Sequence, residues 1–421
     1  MNSMTKRVLS IVLTVALFAA VFAGCATQGA TVNPAEKVLA VFAGAANVFI
    51  VRANGSILAA GDNHAGQLGS ASNTSQGAAE QDRRAAFTAV YGDTNAPFTD
   101  AVAVAAGESH AVIMRQDGSL WGAGSSAFGE LGRQGGNLAA FTRLSAAGTP
   151  ISNATAVAAG NNSTFFIDTD NRLWASGSNR YGELGLENHS VHFSFMEVES
   201  AGSGVVAIAS GLRHTALLKD DGTLWVSGSN FEGQLGLGDT DDRASFTLVS
   251  DIGSDIIAIA AGNHHTVILK DDGSVWGAGS NFWGQLGVAD SGGELAFTRL
   301  HDANGNPLAD ISRIAARGDL TALVTANDTI FLTGNYFDPQ SMLDITASGK
   351  SPDIRHAFAP LLTERRKGLD FGEIQSIAMG HTSVYIIDSN GRLWAAGSNR
   401  YGQLALGFTT DISLVLRAIS P

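Results

Sequence analysis

One segment of this chain returns seven times in register, and that repetition restricts the fold more than any other feature. Aligned on the glycine of "AAGNHH", its first column holds Gly44, Gly107, Gly160, Gly211, Gly262, Arg317 and Gly380. Three residues on stand Asn47, His110, Ser163, His214, His265, Leu320 and Ser383. Ten on, always Asp or Asn, stand Asn54, Asp117, Asp170, Asp221, Asp272, Asn327 and Asn390. Fourteen on stand Leu58, Trp121, Trp174, Trp225, Trp276, Phe331 and Trp394, and seventeen on a glycine in every copy, from Gly61 to Gly397. Spacings of 51 to 63 residues let the copies fill residues 38–421.

Each copy reads as four short strands. Runs such as Ile256-Ile257-Ala258-Ile259-Ala260 and Thr266-Val267-Ile268-Leu269 are apolar and too short for helices. Asp-Gly or Asn-Gly then supplies a turn with positive φ between antiparallel strands. In Ser274-Val275-Trp276 both alternating faces are apolar, so that strand is covered on both sides. A fourth strand follows a glycine-punctuated loop, as in Phe141-Thr142-Arg143-Leu144 and Phe297-Thr298-Arg299-Leu300. Among 421 residues, 50 glycines against only 8 prolines suit many tight turns and not a low-complexity tract. The expected fold is all-β: a seven-bladed β-propeller of four-stranded antiparallel blades. An open solenoid is the alternative, and it needs polar end caps. The spare strand Ser413-Leu414-Val415-Leu416 is expected to close the ring by completing the first blade.

The N-terminus reads as a targeting segment. Lys6 and Arg7 precede an apolar run over residues 8–22, which ends in Phe22-Ala23-Gly24-Cys25. Cys25 is the only cysteine, so no internal disulfide can form. Its position resembles a bacterial lipobox, with Phe22 where Leu is usual. The resemblance implies a lipoprotein signal peptide over 1–24, lipidation at Cys25 and a short linker to residue 37. The chain is then expected to lie outside the cytoplasm, tied to a bacterial membrane through that lipid alone. A net charge of −13 gives no electrostatic footprint for nucleic acid, so no such partner is expected.

The run "AAGNHHTVILKDDGSVWGAGSNFWGQLG" resembles the repeat of the regulator of chromosome condensation (RCC1) family, whose fold is a seven-bladed propeller. The sixth copy departs most, with Arg317 for glycine and Leu320 for histidine. Its "GQLG" dissolves into Asp338-Pro339-Gln340-Ser341, and an insert at about 337–372 carries the basic cluster Arg365-Arg366-Lys367. The seventh ends in Gln403-Leu404-Ala405, one glycine short. Members of the family act mainly through protein partners, and nuclear members promote nucleotide exchange on a small GTPase. A lipid-anchored protein outside the cytoplasm meets no small GTPase, so that activity is not expected here. Secreted relatives that inhibit β-lactamases point, by distant similarity, to an envelope enzyme as partner.

No catalytic constellation is legible, and the expectation is a non-enzymatic protein without metal or cofactor. His110, His214 and His265 recur once per blade and should be spread around the ring, whereas a metal needs ligands that converge. They read as structural ties. The Asp/Asn column precedes glycine as turn chemistry does. The Trp column is filled by large apolar residues in every copy and reads as core. Glu130 and Glu183 stand where other copies carry Gln, so they read as repeat variants.

The loop after the offset-seventeen glycine behaves differently. Its first two places are small or amide residues, while the next two keep returning to aromatics and arginine. Those residue types are enriched in binding hot spots, and loops at one end of a propeller share a rim. The candidate partner-binding residues are Phe128, Arg180, Tyr181, Phe231, Phe282, Trp283, Arg400 and Tyr401. Some of these aromatics could instead fold over and shield the blade edges. The expected function is a membrane-anchored, extracytoplasmic protein-binding propeller; a carbohydrate-binding propeller or an unrecognised envelope hydrolase is the alternative.

Overall fold

The computed structural model describes residues 36–69, 83–288, 292–335, 357–360 and 372–419. They form seven four-stranded antiparallel sheets in which strand order follows chain order. The proposed signal segment, Cys25 and the basic cluster at 365–367 lie outside the described residues.

Blade five shows the local logic. Its inner strand Ile256–Ala261 pairs with His265–Lys270, which pairs with Val275–Gly279, which pairs with the outer strand Glu294–Arg299. The hairpin between its second and third strands turns at Asp272-Gly273, where Gly273 has φ +77° and Asp272 Oδ1 accepts from the Ser274 amide at 2.8 Å. The equivalent of Gly273 has positive φ in all seven blades, supplied by Asn171 (59°) in the third and Asp328 (63°) in the sixth. Asn and Asp are the side chains that best tolerate that region.

Every inner strand also carries a bulge at one place, between Ile256 and Ala258 in blade five and between Val38 and Ala40 in blade one. An extra residue there strengthens the local twist. Each inner strand contacts the next around the ring, and the last (Ile374–Met379) contacts the first (Val38–Ala43). The ring is therefore closed and not a solenoid.

Closure differs from expectation in one respect. The C-terminal strand Thr410–Ile419 pairs with Leu393–Asn399 of the seventh blade, not with the first. Blade one has an outer strand of its own, Arg83–Ala89, paired with Ile57–Asp62. Each outer strand pairs with the third strand one loop before it, so seven copies use seven outer strands and none is left over. Side-by-side packing seals the seam. Val41, Val48 and Ile50 pack with Tyr385, Leu393 and Leu404 in one buried cluster. The Gly407 amide donates to the Ala85 carbonyl at 2.8 Å, and the Arg83 guanidinium lies 4.8 Å from the Tyr401 ring centre.

Within the stretch expected as an insert, Ala359–Pro360 proves to be the outer strand of blade six, with Phe358 directly before it. Ala359 and Pro360 pair with Leu332 and Phe331, and Phe358 is buried in the core shared with blade five. The "FAPL" run stands where other blades carry "FTRL".

Candidate binding face and axial mouth

Successive strands of a blade run in opposite directions, so the first-to-second turn and the third-to-outer loop emerge at the same end. Among the described residues, that end collects the "GxxH" turns and the aromatic loops.

The loop framework is buried and its variable places are not. In blade four Asn230 Oδ1 accepts from the Leu235 amide at 2.9 Å, and its Nδ2 donates to the Asp239 carbonyl at 2.8 Å. Gln234 Oε1 accepts from the Glu232 amide at 2.9 Å. The same bonds recur on Asn281 and Gln285 and on Asn399 and Gln403. Glu183 takes the glutamine's part, accepting from the Tyr181 amide at 2.8 Å and from Ser178 at 2.7 Å. Glu130 does likewise with Phe128 and Ser125. Burial pushes its carboxyl above the ordinary range. Both glutamates are thus committed to separate loops, as repeat variants are, and do not form a carboxylate pair.

Of the two variable places, the first is displayed, and the second is half-buried wherever the described loops carry a large side chain there. Phe231 is 78% exposed and Phe282 65%, on adjacent blades, and Arg180 and Arg400 are also exposed. Phe128, Tyr181 and Tyr401 are instead covered by arginines of the following blade: Arg180 at 5.6 Å, Arg213 at 4.6 Å and Arg83 at 4.8 Å from the respective ring centres. Trp283 meets Phe282 edge-on, with ring centres 4.9 Å apart. Phe231, Phe282 and Arg400 are therefore displayed, and Arg180 is displayed while stacking on Phe128. Tyr181 and Tyr401 lie under inter-blade stacks, and Trp283 packs within its own loop, distinctions that composition alone does not reveal.

Two further ties hold neighbouring blades in register. The last glycine of each "GQLG" loop faces the phenylalanine of the next outer strand: Gly132 faces Phe195, Gly185 faces Phe246 and Gly287 faces Phe358. The repeated histidines reach across as well. His110, His214 and His265 share hydrogen bonds through Nε2 with Thr164, Thr266 and Thr321 of the following blade, at 3.0, 3.0 and 2.9 Å. Burial lowers the pKa of each to about 3, so at neutral pH all three are uncharged ties. The Trp column is structural too: Trp225 Nε1 donates to Thr223 at 3.1 Å, and Trp174 stacks on Phe166 at 5.8 Å.

At the ring axis this face opens into a mouth of about 530 Å³ lined by Asp62, His64, Arg83, Ser109, Asp319 and Tyr401 among others. Three lining side chains from blades one and two form a relay. Asp62 Oδ2 contacts His64 Nδ1 and accepts from Gln67 Nε2 at 3.2 Å, while His64 Nε2 lies 3.4 Å from Ser109 Oγ. Sequence reasoning missed this group. Its signal was present, since Asp62 and His64 replace the usual serine and aromatic-or-arginine of the loop. Below the mouth, a second cavity of about 300 Å³ follows the inner strands and is lined by Arg317. Arg317 Nε and Nη2 are sealed from water without a hydrogen-bond partner among the described residues, and burial lowers the guanidinium's pKa to about 10. Among the described residues, no three His, Cys, Asp or Glu side chains converge as a metal site requires.

Comparison with known proteins gives matches to two models of the regulator of chromosome condensation (RCC1) repeat. One covers residues 221–269 and the other residues 101–130, 154–183, 205–234, 256–285 and 374–403. The second set falls in blades two to five and seven. A secretion-regulating guanine nucleotide exchange factor of Bos taurus is 30% identical over 246 residues, 57% of this chain and 51% of the relative. The ultraviolet-B receptor UVR8 of Arabidopsis thaliana is 27% identical over 325 residues, 76% of this chain and 70% of the receptor. The chain spans about half the length of the exchange factors it matches, 51% in the Bos taurus protein and 49% in that of Mus musculus. Human WBSCR16 superimposes with a TM-score of 0.71 at 20% identity, over 86% of this chain and 93% of that one. Prp20p of Saccharomyces cerevisiae, whose structure was reported with its binding to Gsp1p and histones, gives 0.68 at 17%, over 86% and 85%. At these identities the two structures speak for the fold alone.

Proposed function

From a propeller built of RCC1-type repeats, we propose a docking protein whose rim binds a protein partner, the rim itself being non-catalytic. The observation that carries this reading is the pair Phe231 and Phe282, displayed on adjacent blades at one end of the ring. Large aromatics held out on rigid, hydrogen-bonded loops lose little conformational entropy on binding. Arg180 and Arg400 extend the same rim with charge. The relatives' names are consistent with regulation through proteins, but the nucleotide exchange named for them is not carried over. The lipobox-like Cys25 supports anchorage to a bacterial membrane on its extracytoplasmic side, where an envelope enzyme is the partner class within reach. No specific observation favours the carbohydrate reading.

A soluble form lacking residues 1–25, immobilised and exposed to cross-linked native envelope, is expected to retain one dominant protein. Phe231→Ala with Phe282→Ala should weaken its capture at least tenfold, since a displayed hot-spot aromatic contributes about 2 kcal/mol or more. Undiminished capture by the double variant refutes the rim. Incorporation of a fatty-acid analogue that persists in Cys25→Ala refutes the anchor.

A further inference from the structure

The geometry points to a second site, distinct from the displayed Phe231 and Phe282: a serine-nucleophile centre for carboxylic esters in the axial mouth, made of Ser109, His64 and Asp62. All three line the same cavity of about 530 Å³, and they come from two blades, Asp62 and His64 from the first and Ser109 from the second. The order of contacts is that of an activated hydroxyl. Asp62 Oδ2 contacts His64 Nδ1, the arrangement that in a neutral imidazole leaves Nε2 as the acceptor, and Nε2 faces Ser109 Oγ at 3.4 Å. That separation is long for an O–H···N bond, and such bonds are often loose before substrate tightens them. Asp62 is itself anchored, by Gln67 Nε2 at 3.2 Å and by its own amide, which donates to the Ala46 carbonyl at 2.9 Å. Gln67 is in turn held by the Ala65 amide at 2.9 Å. The side chain of Asp62 is 14% exposed and that of His64 55%, so the carboxylate is sheltered while the base meets the cavity.

The loop that supplies two of these residues departs from its six siblings at those two places. Blade one carries Asp62 where blades two, three, four, five and seven carry serine and blade six Asn335. It carries His64 at the displayed place. A loop serving only structure has no need of either change, because the turn forms with serine elsewhere.

In the reaction, Ser109 Oγ bonds to the acyl carbon as its proton passes to His64 Nε2. The acyl–oxygen bond then breaks and His64 returns the proton to the leaving alkoxide, releasing an alcohol. Water, deprotonated by His64, attacks the acyl-serine; the acid leaves and the proton goes back to Ser109. Arg83, which lines the same cavity, is the cation at hand for the oxyanion. Asp62, Glu108 and Asp319 also line it, three carboxylates against that one guanidinium, so neutral or cationic esters are favoured over anionic ones.

The test uses the full chain in detergent with two probes, a fluorophosphonate reporter and p-nitrophenyl butyrate. The expected result is one label per chain, at Ser109, and ester turnover that falls about a hundredfold or more in Ser109→Ala and in His64→Gln. Asp62→Asn should lose a similar factor through the wrong tautomer while the protein melts as the wild type does. Ser398→Ala, at the place in blade seven equivalent to Asp62, should leave turnover unchanged. Label elsewhere or nowhere overturns the proposal. So does ester hydrolysis that survives Ser109→Ala but not His64→Gln, which would mean an imidazole acting alone. Neither readout involves a protein partner, so its failure and that of the rim are separable.

Discussion

Gly185→Ala isolates the contact that sets one blade against the next. Gly185 closes the loop of blade three at φ +70°, and a methyl group added to it would lie 2.5 Å from Cε2 of Phe246, on the outer strand of blade four. Holding an L-residue in the left-handed region costs about 1–2 kcal/mol. Forcing a methyl into a packed ring adds about 1–3 kcal/mol. The alanine also restricts the unfolded chain, which returns about 0.4–1 kcal/mol. The net expectation is a loss of about 1–4.5 kcal/mol in stability. Gly136→Ala is the control, because nothing lies within 4 Å of a methyl there; it should change stability by less than about 0.5 kcal/mol. Equilibrium urea unfolding of the form lacking residues 1–25, followed by tryptophan fluorescence, reads both. The chain supplies the reciprocal case, since Ala405 fills the same place in blade seven at φ +53°. Ala405→Gly should stabilise by up to about 1 kcal/mol, the left-handed cost less glycine's greater entropy. If Gly185→Ala unfolds with the control, or Ala405→Gly destabilises, the glycine–phenylalanine account of blade registration is refuted.

Three further outcomes are expected. His110, His214 and His265 protonate near pH 6.5 when unfolded but only near 3 when folded. The unfolded chain therefore binds more protons between those values, so stability is full above pH 6.5 and falls toward pH 3, by up to about 1.4 kcal/mol per pH unit for each histidine. His214→Asn, with the residue blade one uses at Asn47, should flatten that slope in urea titrations, and an unchanged slope would remove the histidines as its cause. Deleting residues 411–421 should speed amide exchange first over residues 393–399, which pair with the C-terminal strand. Faster exchange over 57–62 instead would restore the closure expected from sequence. Arg317→Gly removes a guanidinium whose Nε and Nη2 are buried without a hydrogen-bond partner among the described residues, in favour of the residue most other copies carry, and should raise stability by about 1–3 kcal/mol, measured by urea unfolding; a lower midpoint would mean that attraction to Glu108 outweighs the cost of burial.

The sequence by itself determined whatever is repeated within a unit. Seven columns set the number of blades; the Asp-Gly and Asn-Gly pairs set the hairpins, and the alternation around Trp276 set a doubly covered strand. These are local properties, written within about thirty residues and confirmed by their own recurrence. The tertiary structure decided what depends on which unit stands next to which. A cyclic repeat has no intrinsic starting phase, so the C-terminal strand could be assigned to either side of the seam until pairing with Leu393–Asn399 was seen. The run Phe358-Ala359-Pro360 was hidden because its proline and a long preceding segment masked the outer-strand pattern. Displayed Phe231 and covered Tyr181 belong to neighbouring columns of the same loop, and only the arginine of the following blade separates them. Asp62, His64 and Ser109 lie up to 47 residues apart in sequence. They meet because consecutive blades pack side by side and set the turn of blade two beside the loop of blade one, an adjacency that no single repeat encodes.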